Sequence, residues 1–357
     1  MTNKEKLYLI PCSFVDKNIG LSLYKSGEAE KLNNRNHYFR SIKIISNLSN
    51  NEKLVSIKEF KNNYLKTNKK LEKMYDNIIL EKKLYVKNKN ILRNKDYLIF
   101  GILNVTPDSF SDGGMFNNEK LSLNRAKEMN TEGADFIDVG GESTRPGAQK
   151  ISENEEILRV LPVIQDLSNA NIDISVDTRN SSTMYMCNFY KISIINDVSA
   201  LRDKNSFEIV KSNNLSVVLM HMPGTPKTMM KKKYSNVLLD TYDFLNKRIE
   251  FCERNGLSKE RIIVDPGIGF GKNKNENINL IKNISIFHSL GCPIMLGVSR
   301  KRLISNFGSP NSSNERIGGS ISFALHAYNQ GVEIFRVHDV KETLQALEAW
   351  KYAGEKN

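Results

Sequence analysis

From Leu98 onward the sequence repeats one pattern eight times. A short run of β-branched and apolar residues meets a polar stop and then a stretch with helical apolar spacing. The apolar runs fall at Leu98–Val105, Phe136–Val139, Ile174–Val176, Ile192–Ile195, Val217–Met220, Ile262–Val264, Ile294–Val298 and Ile334–Val337. The helical stretches that follow cover 119–132, 153–168, 180–189, 205–213, 235–255, 274–289, 313–329 and 340–352. Strands joined through helices run parallel, and parallel strands are buried on both faces. Eight such units in about 260 residues match the size of a closed barrel. An open, doubly wound sheet would need a glycine-rich dinucleotide fingerprint after its first strand, and none is present. The reading is therefore α/β: a (β/α)8 TIM barrel over 98–357, preceded by a small α+β extension over 1–97.

The net charge of +12 would suggest nucleic acid if it were spread over the chain. Residues 1–97 hold 21 Lys and Arg against 10 Asp and Glu, whereas residues 98–357 hold 31 against 30. The barrel carries no basic stripe, so no nucleic-acid partner is expected, and the lysines of the extension read as a solvated face. Within the extension, strands are expected at Leu7–Ile10 and Ile42–Ile45. Ile57, Phe60, Tyr64, Leu71, Met74, Tyr75, Ile78 and Ile79 follow helical spacing, and the segment is expected to pack on the barrel. Cys12, Cys187, Cys252 and Cys292 are far apart and form no metal-ligand spacing, which predicts reduced thiols. No apolar run approaches 18 residues and no signal peptide is recognisable, so a soluble cytoplasmic protein with no membrane partner is expected.

In such a barrel the chemistry gathers at the carboxyl ends of the strands. Those ends supply Asn104; Asp138, Glu142, Ser143 and Thr144; Asp177; Asn196 and Asp197; His221; Asp265; Ser299, Arg300 and Lys301; and Arg336, His338 and Asp339. One Asp or Asn after a strand reads as a helix cap, but eight polar ends together read as the mouth of a site. Asp177, Asn196 and Asp265 suit a flat heterocycle with a donor-rich edge, because a carboxylate accepts two parallel N–H bonds. Arg300, Lys301, Arg336 and His338 suit an anion such as phosphate. Asn104 and the aspartates just beyond it offer oxygen ligands for Mg2+. The stretch from Thr106 to about Asn118 is roughly twice an ordinary βα loop, which points to a catalytic lid. Gly267–Lys272 imitates a phosphate loop, but its spacing is wrong and Asn273 replaces the metal-binding Ser or Thr. The histidines never pair at zinc-ligand spacing.

Gly101–Gly114, Asp138–Ala148, Ser175–Thr178, Ile195–Val198, Met220–Met222, Asp265–Lys272, Ser299–Lys301 and Arg336–Asp339 together resemble the motifs of dihydropteroate synthases, in unbroken order over about 98–352. The resemblance implies a pterin-binding (β/α)8 barrel that joins (7,8-dihydropterin-6-yl)methyl diphosphate to 4-aminobenzoate. The products would be 7,8-dihydropteroate and diphosphate, in folate biosynthesis, with Mg2+ as cofactor and a homodimer as the assembly. It implies that Asp177, Asn196, Asp265 and Lys301 hold the pterin, and that Thr144, Arg336, His338 and Asn104 engage the diphosphate, Asn104 also as the metal ligand. Phe110, Ser111, Arg145 and Pro146 would shape a 4-aminobenzoate pocket that sulfonamides also target. Asp112 would face the methylene carbon and complete a catalytic set with Lys301, Arg336 and His338. The chain departs from the family at Arg302, where many members carry Ser. A methyltetrahydrofolate-binding methyltransferase domain shares the barrel but needs neither the long loop nor the Ser-Arg-Lys turn. An inactive barrel would show eroded strand ends, and none is lost.

Overall fold

The computed structural model describes residues 5–33, 35–48, 52–65, 68–105, 115–144, 147–308 and 312–354. In the extension, β1 (Leu7–Val15) pairs antiparallel with β3 (His37–Ser46). Strands β2 (Glu30–Leu32) and β4 (Glu52–Ser56) pair with β3 at different levels, and α1 (Lys17–Lys25) connects β1 to β2. The helical spacing after Val55 resolves into two helices, α2 (Ile57–Asn63) and α3 (Lys69–Ile79). Each starts where a side chain, Ser56 or Asn68, accepts the orphan N–H groups of the first turn. A small hairpin, β5 (Tyr85–Val86) and β6 (Lys89–Asn90), leads into the barrel.

The eight expected strands form one parallel sheet: β7 (Leu98–Asn104), β8 (Phe136–Gly140), β9 (Ile174–Asp177), β10 (Ile192–Asp197), β11 (Ser216–Met220), β12 (Ile262–Asp265), β13 (Met295–Leu296) and β14 (Ile334–Val337). Each pairs with its neighbour in sequence from β7 to β12, β14 sits between β13 and β7, and a bridge from Val264 to Ile294 closes the ring. The helices between them are α4 (Met115–Glu132), α5 (Glu153–Asn169), α6 (Ser181–Cys187), α7 (Ser206–Ser212), α8 (Val237–Arg254), α9 (Lys274–Lys282), α10 (Ile317–Asn329) and α11 (Val340–Gly354). Helix α8 shows the logic: Leu238, Tyr242, Leu245, Ile249 and Cys252 recur every three or four residues and are all buried.

Side-chain alternation along the strands decides where the site lies. Phe100, Phe136, Ile194, Val218, Ile263, Met295 and Ile334 form one apolar cluster inside the barrel. Two residues further along the same face stand Asp138, Asn196, Asp265, Gly297 and Arg336. The lumen thus changes from apolar to polar within a single step of about 7 Å. Leu84, Val86 and Leu92 complete the apolar cluster, and Ser216 Oγ donates to the Tyr85 carbonyl at 2.6 Å. Residues from Leu84 onward are therefore packed with the barrel interior, earlier than the boundary expected at 97.

Elsewhere the extension meets the barrel through Tyr8, edge-on to Tyr242 at 5.3 Å, and through hydrogen bonds from Ser285 to the Pro11 carbonyl and from Asn77 to the Ser289 carbonyl, both 2.8 Å. Glu333 is fully buried between the two parts. It accepts from Asn33 Nδ2 at 2.6 Å and from the Ile294 N–H at 2.9 Å, and it lies 3.4 Å from Lys82 Nζ, which also contacts His288. The helix expected over 274–289 ends at Lys282, and 284–290 form a tight 3-10 turn whose residues are all buried. The side chains of Ser285 and His288 bond to Pro11 and Lys82 of the extension, and the Ser289 carbonyl accepts from Asn77.

Candidate active site

At the carboxyl end of the barrel, register places Asn104 beside Gly140, Gly140 beside Asp177, and Asp177 beside Asn196. Arg336 reaches across from β14. Its Nε donates to Asp138 Oδ2 at 2.5 Å and its Nη2 to Asp177 Oδ2 at 2.7 Å, while Asn196 Nδ2 donates to the same Asp138 oxygen at 3.0 Å. Asp138 is fully buried, and its Oδ1 has no partner among the described residues. Burial opposes the charge on Arg336, but Asp138 and Asp177 outweigh it and hold the guanidinium above its ordinary pKa. Burial raises the Asp177 carboxyl against the pull of Arg336, with Asp138 and Glu156 adding to the rise.

Asp265 faces this cluster from β12. Its Oδ1 accepts the Gly267 N–H at 2.7 Å; burial raises its carboxyl, and Lys301 and Lys272 pull the other way. The Lys301 ammonium donates to the Ile268 carbonyl and lies 4.7 Å from the centre of the Phe270 ring. Burial lowers it to about 8, against the pull of Asp265. A Cβ placed on Gly297 would stand 3.7 Å from Asp265 Oδ2, 3.8 Å from Lys301 Nζ and 3.9 Å from Arg336 Cβ. That glycine lies among the three and leaves the floor of the mouth open.

The loop after β12 shows why the phosphate-loop look-alike is not one. Gly267 has φ +69°, and a Cβ there would lie 2.1 Å from the His221 carbonyl oxygen, so no side chain fits. Lys272 Nζ donates to the carbonyls of Gly267 at 2.8 Å, Phe270 at 3.0 Å and His221 at 3.2 Å. Three carbonyls take the three hydrogens of the ammonium, which leaves it none for a phosphate.

Two sequence motifs interlock at the β13–β14 edge. The strand expected over 294–298 pairs with β14 through Met295 and Leu296, opposite Ile334 and Phe335. Beyond it a side chain replaces the backbone ladder: Ser299 Oγ accepts the His338 N–H at 3.1 Å and lies 3.0 Å from His338 Nδ1. Arg300 has φ +54° and turns outward, where its guanidinium takes both oxygens of Asp339 and, at 2.7 Å, Asn314 Oδ1. Arg300 therefore does not serve the mouth, contrary to its expected place among the anion-binding cations.

The same correction applies to other strand-end groups. Asp197 accepts the N–H groups of Ser199 and Leu201, both at 2.6 Å, and caps its own turn. His221 packs beside Thr241, Phe244 and Tyr234. Glu142 takes Nε and Nη2 of Arg179 at 2.8 Å each. For Asp197 and His221 the cause is alternation: Asn196 and Met220 take the inward face, so the next residue points out. The structure brings Asp177, Asn196, Asp265, Lys301 and Arg336 together, with His338 beside Ser299 at the neighbouring edge. Thr144 follows β8 and is half-buried. Phe110, Ser111, Asp112, Arg145 and Pro146 lie outside the described residues. Phe270, Lys272 and Gly297 carry no role in the sequence reading; Asp138 is named there among the strand ends without a partner, which its place two beyond Phe136 on the inward face would have supplied.

Asn104 ends β7 half-buried, and its side chain makes no hydrogen bond among the described residues. Among those residues no cluster of three or more His, Cys, Asp or Glu could cage a metal. A lone amide oxygen at the mouth fits Mg2+, which is bound through few protein ligands when phosphate oxygens and water complete its shell.

Residues 100–338 match the family described as pterin binding enzyme. The dihydropteroate synthase of Escherichia coli K12 is 42% identical over 251 residues, 70% of this chain and 89% of that protein. The chain belongs to the dihydropteroate synthase family. Among solved family structures, the Xanthomonas albilineans enzyme with 4-aminobenzoic acid superposes with a TM-score of 0.70 at 37% identity, covering 74% of this chain and 95% of that one. The same enzyme in complex with 7,8-dihydropteroate gives 0.67 at 34% identity, with the same coverage.

Proposed function

We propose that the chain is a dihydropteroate synthase, condensing (7,8-dihydropterin-6-yl)methyl diphosphate with 4-aminobenzoate in folate biosynthesis. The observation that carries the reading is the ring of Asp138, Asp177, Asn196, Asp265, Lys301 and Arg336 on an otherwise apolar barrel floor. Arg336 is shared between Asp138 and Asp177, and a buried acceptor left over, such as Asp138 Oδ1, is costly unless a donor meets it. In the reaction the C–O bond to the diphosphate breaks with its electron pair, and the amine nitrogen of 4-aminobenzoate bonds to the methylene carbon and releases a proton to solvent. Asp177, Asn196 and Asp265 bind the pterin edge, and Lys301, over the Phe270 ring and close to Asp265, adds a hydrogen bond to the heterocycle. Arg336 and His338, with Thr144, hold the leaving diphosphate, whose charge they stabilise as it develops. Asn104 would hold Mg2+, which supplies positive charge to that leaving group. The family resemblance assigns Phe110, Ser111, Arg145 and Pro146 to 4-aminobenzoate and Asp112 to the electron-poor carbon; these are roles that substitution of each would test.

We also propose a homodimer in the cytoplasm; four cysteines without disulfides suit a reducing compartment. No helix of the described residues is long and apolar enough to cross a membrane. The deciding experiment is release of pyrophosphate by the purified chain, with each substrate omitted in turn. Release that requires both substrates and falls on chelation of Mg2+ supports the reading; release indifferent to 4-aminobenzoate refutes it. Sedimentation of the same preparation reports the assembly.

A further inference from the structure

We propose that Ser299 is a positioning residue that locks the neutral His338 ring in the tautomer with its proton on Nε2. The argument is a hydrogen count. Ser299 Oγ carries one hydrogen and is buried. It already accepts the backbone N–H of His338 at 3.1 Å, and among the described residues the other polar atom it meets is His338 Nδ1 at 3.0 Å. If Nδ1 carried the proton, Ser299 would accept twice and its own hydrogen would have no partner in a buried place, which is unfavourable. With Nδ1 as acceptor, all three groups are satisfied. The ring then presents Nε2–H, a donor, on the side away from Ser299.

The serine is itself held. The left-handed turn at Arg300 follows it directly, with the Arg300 N–H bonded to Ser320 Oγ at 2.9 Å, its carbonyl to Arg316 Nη1 at 3.0 Å and its guanidinium to Asp339. Asp339 is the residue after His338. The two motifs therefore clamp each other at consecutive positions, Ser299 on His338 and Arg300 on Asp339. From α4, Arg125 Nη2 adds a bond to the His338 carbonyl at 3.2 Å. The backbone on both sides of the pair is fixed, and the hydroxyl hydrogen decides which nitrogen the ring offers. In that tautomer the ring offers a directed Nε2–H donor on the side away from Ser299.

The tautomer needs no substrate to be tested, so it stands apart from the reaction proposed above; only the kinetic arm rests on that reading. Nitrogen-15 spectra of the full chain, with histidines labelled and the His338 signal assigned by its loss in His338→Gln, should show Nε2 protonated and Nδ1 bare when the ring is neutral. A proton on Nδ1 overturns the proposal outright, whether or not any variant folds. In Ser299→Ala the single tautomer should give way to a mixture. Turnover should fall roughly tenfold, the scale on which orienting partners act, while KM for 4-aminobenzoate stays unchanged. Ser299→Thr, which keeps the hydroxyl, should restore both. A Ser299→Ala chain that retains the Nε2–H ring and full turnover also overturns it.

Discussion

Lys301 is the residue whose ionisation most directly exposes the site's electrostatics. Burial brings its ammonium down to about 8, with Asp265 resisting and Arg336 assisting. Below that pH the cation is present; above it the charge is lost and with it the charge-assisted hydrogen bond, so kcat/KM for the pterin substrate should fall as pH rises through about 8. Lys301→Arg should carry the plateau to higher pH because a guanidinium stays charged. The fold should not weaken with the activity. Between about 8 and the ordinary lysine value of 10.5 the unfolded chain binds the proton that the folded chain has released, so this group makes stability rise with pH. A pH–rate profile set beside melting temperatures separates the two. Asp138 makes a second case. Asp138→Asn keeps the shape but removes the charge shared by Arg336 and Asn196, and kcat/KM should drop on the order of 10- to 100-fold, equivalent to about 1.5–3 kcal/mol for a charged hydrogen bond; a rate within twofold of wild type would refute the role. Residue identity at the strand ends named Asp177, Asn196, Asp265, Lys301 and Arg336, which the structure gathers at one mouth, and His338 at its edge. It misassigned Arg300, Asp197 and Glu142 because composition at a strand end does not say which face a side chain takes. Counting alternation from Ile194 would have turned Asp197 outward, whereas Glu142 and Arg300 lie past the ends of their strands, where alternation gives no answer.

At the scale of elements, the strands and most helices were readable from apolar periodicity, because each buries one face in a repeating architecture. Where the reading failed, a tertiary neighbour was the cause. Strand β13 stops at Leu296 because Ser299 takes over the bond to His338, and the helix after β12 gives way to a 3-10 turn whose polar side chains bond to the extension. The joint between extension and barrel centres on Glu333, which serves Asn33, Lys82 and the Ile294 N–H at once. Burial lowers the Lys82 ammonium to about 8, and Glu333 opposes the fall. Removing one partner of such a pair leaves an uncompensated buried charge. Glu333→Ala should therefore cost about 3–5 kcal/mol in urea unfolding. Lys82→Met combined with Glu333→Gln should recover much of that loss, since neutral groups then replace both charges. If the double variant is as unstable as Glu333→Ala, the loss comes from the Ile294 and Asn33 bonds and the ion pair contributes little.

For the whole molecule, the question is whether 1–97 and the barrel unfold as one body. Length and charge split the chain into a basic extension and a nearly neutral barrel, which invites a two-domain picture. The packing argues otherwise. Tyr8, Leu9, Phe39, Ile42 and Ile78 belong to the same continuous apolar cluster as the barrel's outer strand faces and helices, and Leu84, Val86 and Leu92 lie in the cluster that fills its lumen. Leu84, Val86 and Leu92 thus close the end of the barrel opposite the site, where Phe100, Phe136 and Ile334 would otherwise meet water. An interface made of shared core couples the stabilities of its two sides, so calorimetry of the full chain should give one transition, with calorimetric and van't Hoff enthalpies in agreement. Leu84→Ala, which opens a cavity under the lumen, should cost about 2–5 kcal/mol and lower that single transition as a whole. Two separate peaks, with only the smaller one moved by Leu84→Ala, would show instead that the extension folds as an independent body and that the barrel floor holds without it.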